Sequence, residues 1–215
     1  MAQKKLFDYN EGRIQNMDII EIEIGSPSYP FLLKQIKDPP RVLYARGDIS
    51  LLNKPAVAIV GTRKPSKEGE LYARKVAKFY SDQGFVIVSG LAFGIDAIAI
   101  DTALESGGMV IGVVPSISKI IPKKNEELAK EILNNRGLLL AESESEKVKK
   151  YQFVRRNRII SGLSLGVIVI ETDIRGGTMH TVNFAKEQGR LIIVADLDAP
   201  GNKRLKRDGF PVIKL

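Results

Sequence analysis

Six short apolar runs, spaced along the chain from Ala56 onward, constrain this sequence more than any other feature. They are AVAIV (56–60), FVIVS (85–89), MVIGVV (109–114), LLLAE (138–142), GVIVIE (166–171) and LIIVAD (191–196). Each is rich in β-branched residues and nearly continuous in apolar character, the pattern of strands covered on both faces. Helical stretches lie between them: Glu68–Gln83, Asp96–Glu105, Asn125–Asn135, Arg156–Leu163 and Met179–Gln188. Gly84 and Gly189 follow two of these as stop signals. The alternation predicts an α/β fold, a doubly wound and mostly parallel sheet with helices on both faces.

That architecture is of the extended Rossmann-like kind, expected here over residues 51–215. Ahead of it, DIIEIEI (18–24) alternates apolar and acidic residues as an exposed edge strand would. The stretch that follows is punctuated by Pro27, Pro30, Pro39 and Pro40 around a short helical piece. Residues 1–50 are therefore expected to be an amino-terminal lead-in that packs on the core.

Composition excludes several chemistries. There is no Cys and a single His, which removes disulfide frameworks, thiolate metal sites and a cysteine nucleophile, and weakens any Ser-His-Asp reading. The amino terminus has no apolar core of signal-peptide length, and the longest apolar runs are strand-sized, so a cytoplasmic location and no membrane partner are expected. Lys+Arg number 33 against 25 Asp+Glu, a net charge of +8. That excess favours phosphate-rich partners, and its placement matters more than its size.

In sheets of this kind ligands gather where strands lead into helices. Four such loops stand out. In the first, Gly61-Thr62-Arg63-Lys64-Pro65-Ser66, a glycine turn and the amides entering the next helix form a natural anion nest, with Arg63 and Lys64 adding charge. A tight turn with solvated cations explains the same residues equally well. The second, Ser89 and Gly90 through Gly94 to Asp96, frames a helix start; Asp96 there complements the helix dipole, or orients loop amides or a ligand hydroxyl. Phe93 stacks on a base or covers the core.

The third is the most informative. Residues 147–158 hold six cations and no acid, with Tyr151 and Phe153 between them. Grooves for single-stranded nucleic acid combine cations for phosphates with aromatic faces for bases. A helix opening on Arg155 and Arg156 would also oppose its own dipole, favouring a bound anion. Lys149, Phe153, Arg155, Arg156, Asn157 and Arg158 are candidates on this ground; a solvated surface run over core aromatics is the competing explanation. The fourth loop, Arg175 to Thr178, pairs Gly176 with Gly177 and so lets backbone approach a phosphate or sugar, though Thr178 also suits a plain helix cap. Glu142 suits a pairing with the nearby arginines, and His180 a surface position. There is no GxxxxGK[ST] motif to support ATP hydrolysis.

Taken in order, these segments resemble the DNA processing protein A (DprA/Smf) family. The matching residues are YP (29–30), DPPRVLYARG (38–47), VAIVGTR (57–63), VSGLAFGID (88–96), AL (103–104), the IP..N turn (121–125) and LLLAE (138–142). They continue with RRNRIISGLS (155–164), the GGT loop, the A-x-E-Q-G-R run (185–190) and PGN...L..DG (200–209). The resemblance implies a protein that binds single-stranded DNA without strong sequence preference, protects incoming DNA in natural transformation and helps load a RecA-type recombinase. It implies no metal or nucleotide cofactor, no catalysis, and a homodimer formed through the carboxyl-terminal part. By position it assigns Gly61, Thr62, Arg63, Ser66, Ser89, Gly90, Arg156, Asn157, Arg158, Gly177 and Thr178 to the binding face. Lys149 and Phe153 rest on chemistry alone.

The chain departs from the family pattern at Ile100, at Gly176 and at Ala195-Asp196-Leu197. With a first strand expected from Asp18 and the last residue Leu215, the family's amino-terminal helical domain and carboxyl-terminal winged helix are expected to be missing. That weakens the recombinase expectation more than DNA binding. Two alternatives share the same phosphate-binding face: a nucleotide-processing enzyme of phosphoribohydrolase type and a nucleotide sensor. The enzyme would need a glutamate after the glycine loop, where this chain has Met179, His180 and Thr181.

Overall fold

Strand β3 (Ala56–Val60) shows how the sequence makes two cores from one sheet. Its side chains alternate across the pleat, so Ala56, Ala58 and Val60 enter one core while Val57 and Ile59 enter the other. All five are buried. A computed structural model describes residues 18–215, and within it β3 lies near the middle of a nine-stranded sheet.

The other strands are β1 (Ile20–Glu23), β2 (Val42–Gly47), β4 (Val86–Ser89), β5 (Met109–Val113), β6 (Leu138–Ala141), β7 (Gly166–Val169), β8 (Leu191–Ala195) and β9 (Val212–Ile213). Their order is β1-β2-β6-β5-β4-β3-β7-β8-β9. From β6 to β9 every pairing is parallel. Strand β2 runs antiparallel to β6 and β1 antiparallel to β2, so the lead-in extends the sheet beyond β6. On β1, Ile22 points into the core while Glu21 and Glu23 stay exposed, as the alternation of residues 18–24 predicts for an edge strand.

Seven helices cover the sheet among the described residues: α1 (Phe31–Lys34), α2 (Lys67–Asp82), α3 (Ile95–Glu105), α4 (Glu126–Asn134), α5 (Lys150–Leu163), α6 (Thr178–Glu187) and α7 (Pro200–Arg207). Tyr72 and Val76 of α2, Ile95 and Ile100 of α3 and Ile132 of α4 fill one core. Leu33 of α1, Ile159 and Ile160 of α5, Val182 of α6 and Leu205 of α7 fill the other. Both faces are thus covered, and no helix among the described residues is long and apolar enough to cross a membrane.

The predicted elements are present, with one shift that matters for function. Helix α5 starts at Lys150 rather than Arg156. Its first turn is fixed by Gln152, whose Oε1 accepts the Lys149 backbone N–H at 2.6 Å, satisfying one of the amides a helix start leaves open. Arg155 and Arg156 therefore sit in the second turn, away from the positive end of the dipole. The mismatch with the dipole passes instead to Lys149 and Lys150, in a first turn that has no acid.

Candidate nucleic-acid interface

The order of strands creates a gap. After β3 the chain steps outward through β4 and β5 to β6, then returns to β7 on the other side of β3. At the carboxyl ends of β3 and β7 the loops depart toward opposite faces, α2 on one and α6 on the other. A crevice opens at such a reversal, and here it holds a cleft of about 480 Å³. The cleft brings together all four loops named from sequence: Gly61 to Lys64, Ala92 with Asp96, Phe153 with Arg156 and Asn157, and Gly176 to Thr178.

The turn after β3 is pinned from both sides. The Thr62 amide donates to the Glu171 carbonyl at 2.7 Å, and the Thr62 carbonyl accepts from the Ile95 amide at 3.1 Å. A side chain at Gly61 would come within 2.5 Å of Ile95 Cγ1, so only glycine lets α3 approach this closely. Gly94 lies against the backbone of Thr62 and Arg63 at φ +73°, a conformation that favours glycine. Sequence reasoning saw Gly94 only as the frame of a loop; its packing role required the third dimension. Arg63 and Lys64 are exposed, and neither makes a salt bridge among the described residues.

The expected anion nest at the next helix is already filled. Glu171 Oε2 accepts from the Ser66 amide at 2.9 Å and from Ser66 Oγ at 3.0 Å, and Ser66 Oγ caps the Gly69 amide at 3.0 Å. Ser66 is thus the N-cap of α2, engaged with an internal carboxylate rather than open to phosphate. Ser89 is also structural: fully buried, it donates from Oγ to the Ile59 carbonyl at 2.7 Å. Phe93 is 40% exposed and stands outside the cleft lining.

The cleft floor holds two buried opposite charges, Asp96 and Arg156. Asp96, in the first turn of α3, accepts the Gly90 amide at 3.0 Å, so it both faces the dipole and orients a loop amide. Arg156 reaches down from α5, donates from Nη1 to the Val113 carbonyl, and faces Asp96. Gly90 leaves the space that Arg156 Nη1 occupies. Burial pushes the Asp96 carboxyl up, against the opposing pull of Arg156. Burial likewise pushes Arg156 down to about 10, opposed by Asp96 and assisted by the Arg63 cation. Arg156 stays protonated at neutral pH and lends the cleft floor positive charge. Its buried Nε has no hydrogen-bond partner among the described residues.

The RRNR segment divides by environment. Asn157 and Phe153 are half-buried and line the cleft. Arg155 is half-exposed beside a smaller cleft of about 230 Å³, with Nη2 3.2 Å from Glu142 Oε1 and 3.7 Å from Asp38 Oδ2. Arg158 is not a surface cation. Its side chain is 4% exposed, with Nη2 donating to Glu142 at 2.6 Å and Nε to Asp38 at 3.2 Å. Desolvation and two carboxylates hold the guanidinium in the interior, outside the lining of both clefts. Glu142 pairs with these arginines as its position in the sequence predicts.

In the fourth loop, Gly177 occupies the N-cap position of α6 and Thr178 is its first residue, buried, with no side-chain capping bond at the helix start. His180 is exposed two residues on and lines the cleft. Lys149 is exposed at the start of α5, outside the cleft lining. One residue that shapes this edge has no assigned role in the sequence reading. Asn202 is fully buried; Oδ1 accepts the Thr172 amide at 2.9 Å and Nδ2 donates to the Ile170 and Ala195 carbonyls at 2.6 and 3.0 Å. Its PGN motif was the available signal.

A doubly wound sheet with a cationic crevice at its reversal defines the general class: α/β proteins that hold phosphate-bearing ligands beyond the strand ends. The family model described as DNA recombination-mediator protein A matches residues 21–209, and the chain belongs to that family. It is 43% identical over 173 residues to the DNA processing protein DprA of Bacillus subtilis, covering 80% of this chain and 58% of that protein. The DprA of Streptococcus pneumoniae is 41% identical over 163 residues, covering 75% and 57%. The chain thus spans less than two thirds of the length of these relatives.

Among solved structures, DNA processing protein A from Streptococcus pneumoniae superposes with a TM-score of 0.84 at 35% identity, covering 94% of this chain and 73% of that one. A Helicobacter pylori DNA processing protein A, described for its single-stranded DNA binding mode, also gives 0.84, at 31% identity and 93% coverage of both. A molybdenum cofactor binding protein from Rippkaea orientalis shares only the fold, with a TM-score of 0.54 and 18% identity over 75% of this chain.

Proposed function

We propose that this chain is a non-catalytic single-stranded DNA-binding protein whose phosphate contacts centre on the cleft between β3 and β7. The observation that carries the reading is the pair Arg63 and Lys64: exposed, without salt bridges among the described residues, and lining the same cleft as Phe153 and Asn157. Free cations that share a cleft with an aromatic ring suit a polymer of phosphates and bases. The binding of single-stranded DNA described for the Helicobacter pylori relative supports it. The proposed contact set is Gly61, Thr62, Arg63, Lys64, Phe153, Arg156, Asn157, Gly177 and Thr178, with Lys149 and Arg155 flanking it; Gly90 supports Arg156 from below. Protection of DNA in transformation, loading of a RecA-type recombinase, homodimer formation and a cytoplasmic setting are proposed on the family relationship. No metal or nucleotide cofactor is proposed for binding.

A titration of labelled single-stranded DNA, duplex DNA, RNA and mononucleotides at two salt concentrations tests the reading. Single-stranded DNA should bind best, with log affinity falling against log salt by about 0.7 for each phosphate contacted. Arg63→Ala and Lys64→Ala should each lower that slope by about 0.7. Salt-insensitive binding would overturn it. The cleft also falls within the size range of small-molecule sites, about 300–1,000 Å³, so a mononucleotide is the second reading. Tighter binding of mononucleotide than of oligonucleotide would favour that reading, and release of free base would make the protein an enzyme.

A further inference from the structure

Outside the main cleft, Arg155, Arg158, Glu142 and Asp38 form a compact charged cluster that joins three parts of the chain distant in sequence. Arg158 of α5 donates from Nη2 to Glu142, just past β6, and from Nε to Asp38, in the proline-rich segment before β2. Its Nη1 also reaches the Arg155 carbonyl at 3.4 Å. Gln188, at the end of α6, donates to the Arg158 carbonyl at 3.0 Å. The same segment is held in place by Tyr29, whose buried hydroxyl donates to the Pro40 carbonyl at 2.7 Å.

We propose that Arg158, with Glu142 and Asp38, is a positioning clamp that sets where α5 presents Phe153 and Asn157 to DNA. The inference rests on the DNA-binding reading above. Arg158 touches neither cleft. Phe153 precedes it by five residues, about 7.5 Å along a helix, so freeing the clamp loosens the turns that carry both cleft residues. A surface arginine paired with exposed acids would contribute little. This one is desolvated and hydrogen-bonded to two carboxylates, and removing a partner leaves a buried charge uncompensated.

The clamp makes a prediction of unusual sign. Removing acidic charge beside a polyanion site ordinarily strengthens binding. Here the variant Asp38→Asn/Glu142→Gln should weaken single-stranded DNA binding roughly fivefold or more. Its salt slope should stay at the parent value, because no phosphate contact is lost. Arg158→Gln should do the same; if that variant fails to fold, the acid-to-amide variant decides alone. Binding that is unchanged or tighter would overturn the clamp, and so would a slope lowered by about 0.7 in Arg158→Gln, the mark of a phosphate ligand.

A second readout needs no DNA. The chain has no Trp, so Phe153→Trp supplies a single fluorophore on α5. Adding Asp38→Asn/Glu142→Gln to it should shift the tryptophan emission while the far-ultraviolet circular dichroism stays constant; an unchanged emission would overturn the clamp. If the parent binds no DNA, the functional reading fails and this arm still decides the clamp.

Discussion

Two arginines two residues apart, Arg156 and Arg158, face different ways and meet different carboxylates, while Arg63 meets none among the described residues. Side-chain type alone could not separate them. The partner that commits Arg158 to the interior, Asp38, lies 120 residues away in sequence, so no local pattern announces it. Asn202 makes the same point from the other direction. Its three hydrogen bonds join the ends of β7 and β8, and Asn202→Ala takes the partner from the Thr172 amide and the Ile170 carbonyl, while the Ala195 carbonyl keeps the Leu197 amide. The substitution should cost about 2–3 kcal/mol of stability, read from the urea unfolding midpoint. Gly94→Ala should be disruptive in a different way. A side chain there is strained at positive φ by about 1–2 kcal/mol and strikes the Thr62 carbonyl. DNA affinity should therefore fall more than stability does, measured by titration beside thermal melting. The glycines were visible in sequence; which of them touches the turn after β3 was not.

At the scale of elements, the strands were legible because burial on both faces leaves a continuous apolar signature, as in AVAIV and LIIVAD. The exceptions have physical reasons. Strand β2 was hidden by the prolines just before it, and β9 is only two residues long. Helix α7 carries one buried apolar side chain, Leu205, among polar ones, too little for a periodic signal. The start of α5 was misplaced because its cations and aromatics look like an irregular basic run, while the bond that secures it is a single side chain, Gln152, reaching back to an amide. Gln152→Ala should fray that turn at a cost of about 0.5–1 kcal/mol. The expected consequence is faster amide exchange at residues 150–153 and a modest loss of DNA affinity, with the rest of the chain unaffected.

Across the whole molecule, β1 and β2 complete the sheet on the β6 side, and the two cores run along its faces. Removing residues 18–47 would uncover β6, whose side chains are all buried, and leave an unpaired hydrophobic edge. Such edges pair with other chains. The truncated protein should aggregate where the longer chain unfolds in one cooperative transition, a difference visible by light scattering and calorimetry.

The reversal between β3 and β7 has a further consequence. The opening there is set by backbone routing, since loops that part company leave space whatever side chains line it. On the proposed reading arginine and lysine select the ligand of that space, and substituting them should leave the hollow intact and the protein folded. A scaffold built this way can exchange one ligand for another over generations by changing a few rim residues, without passing through an unfolded ancestor.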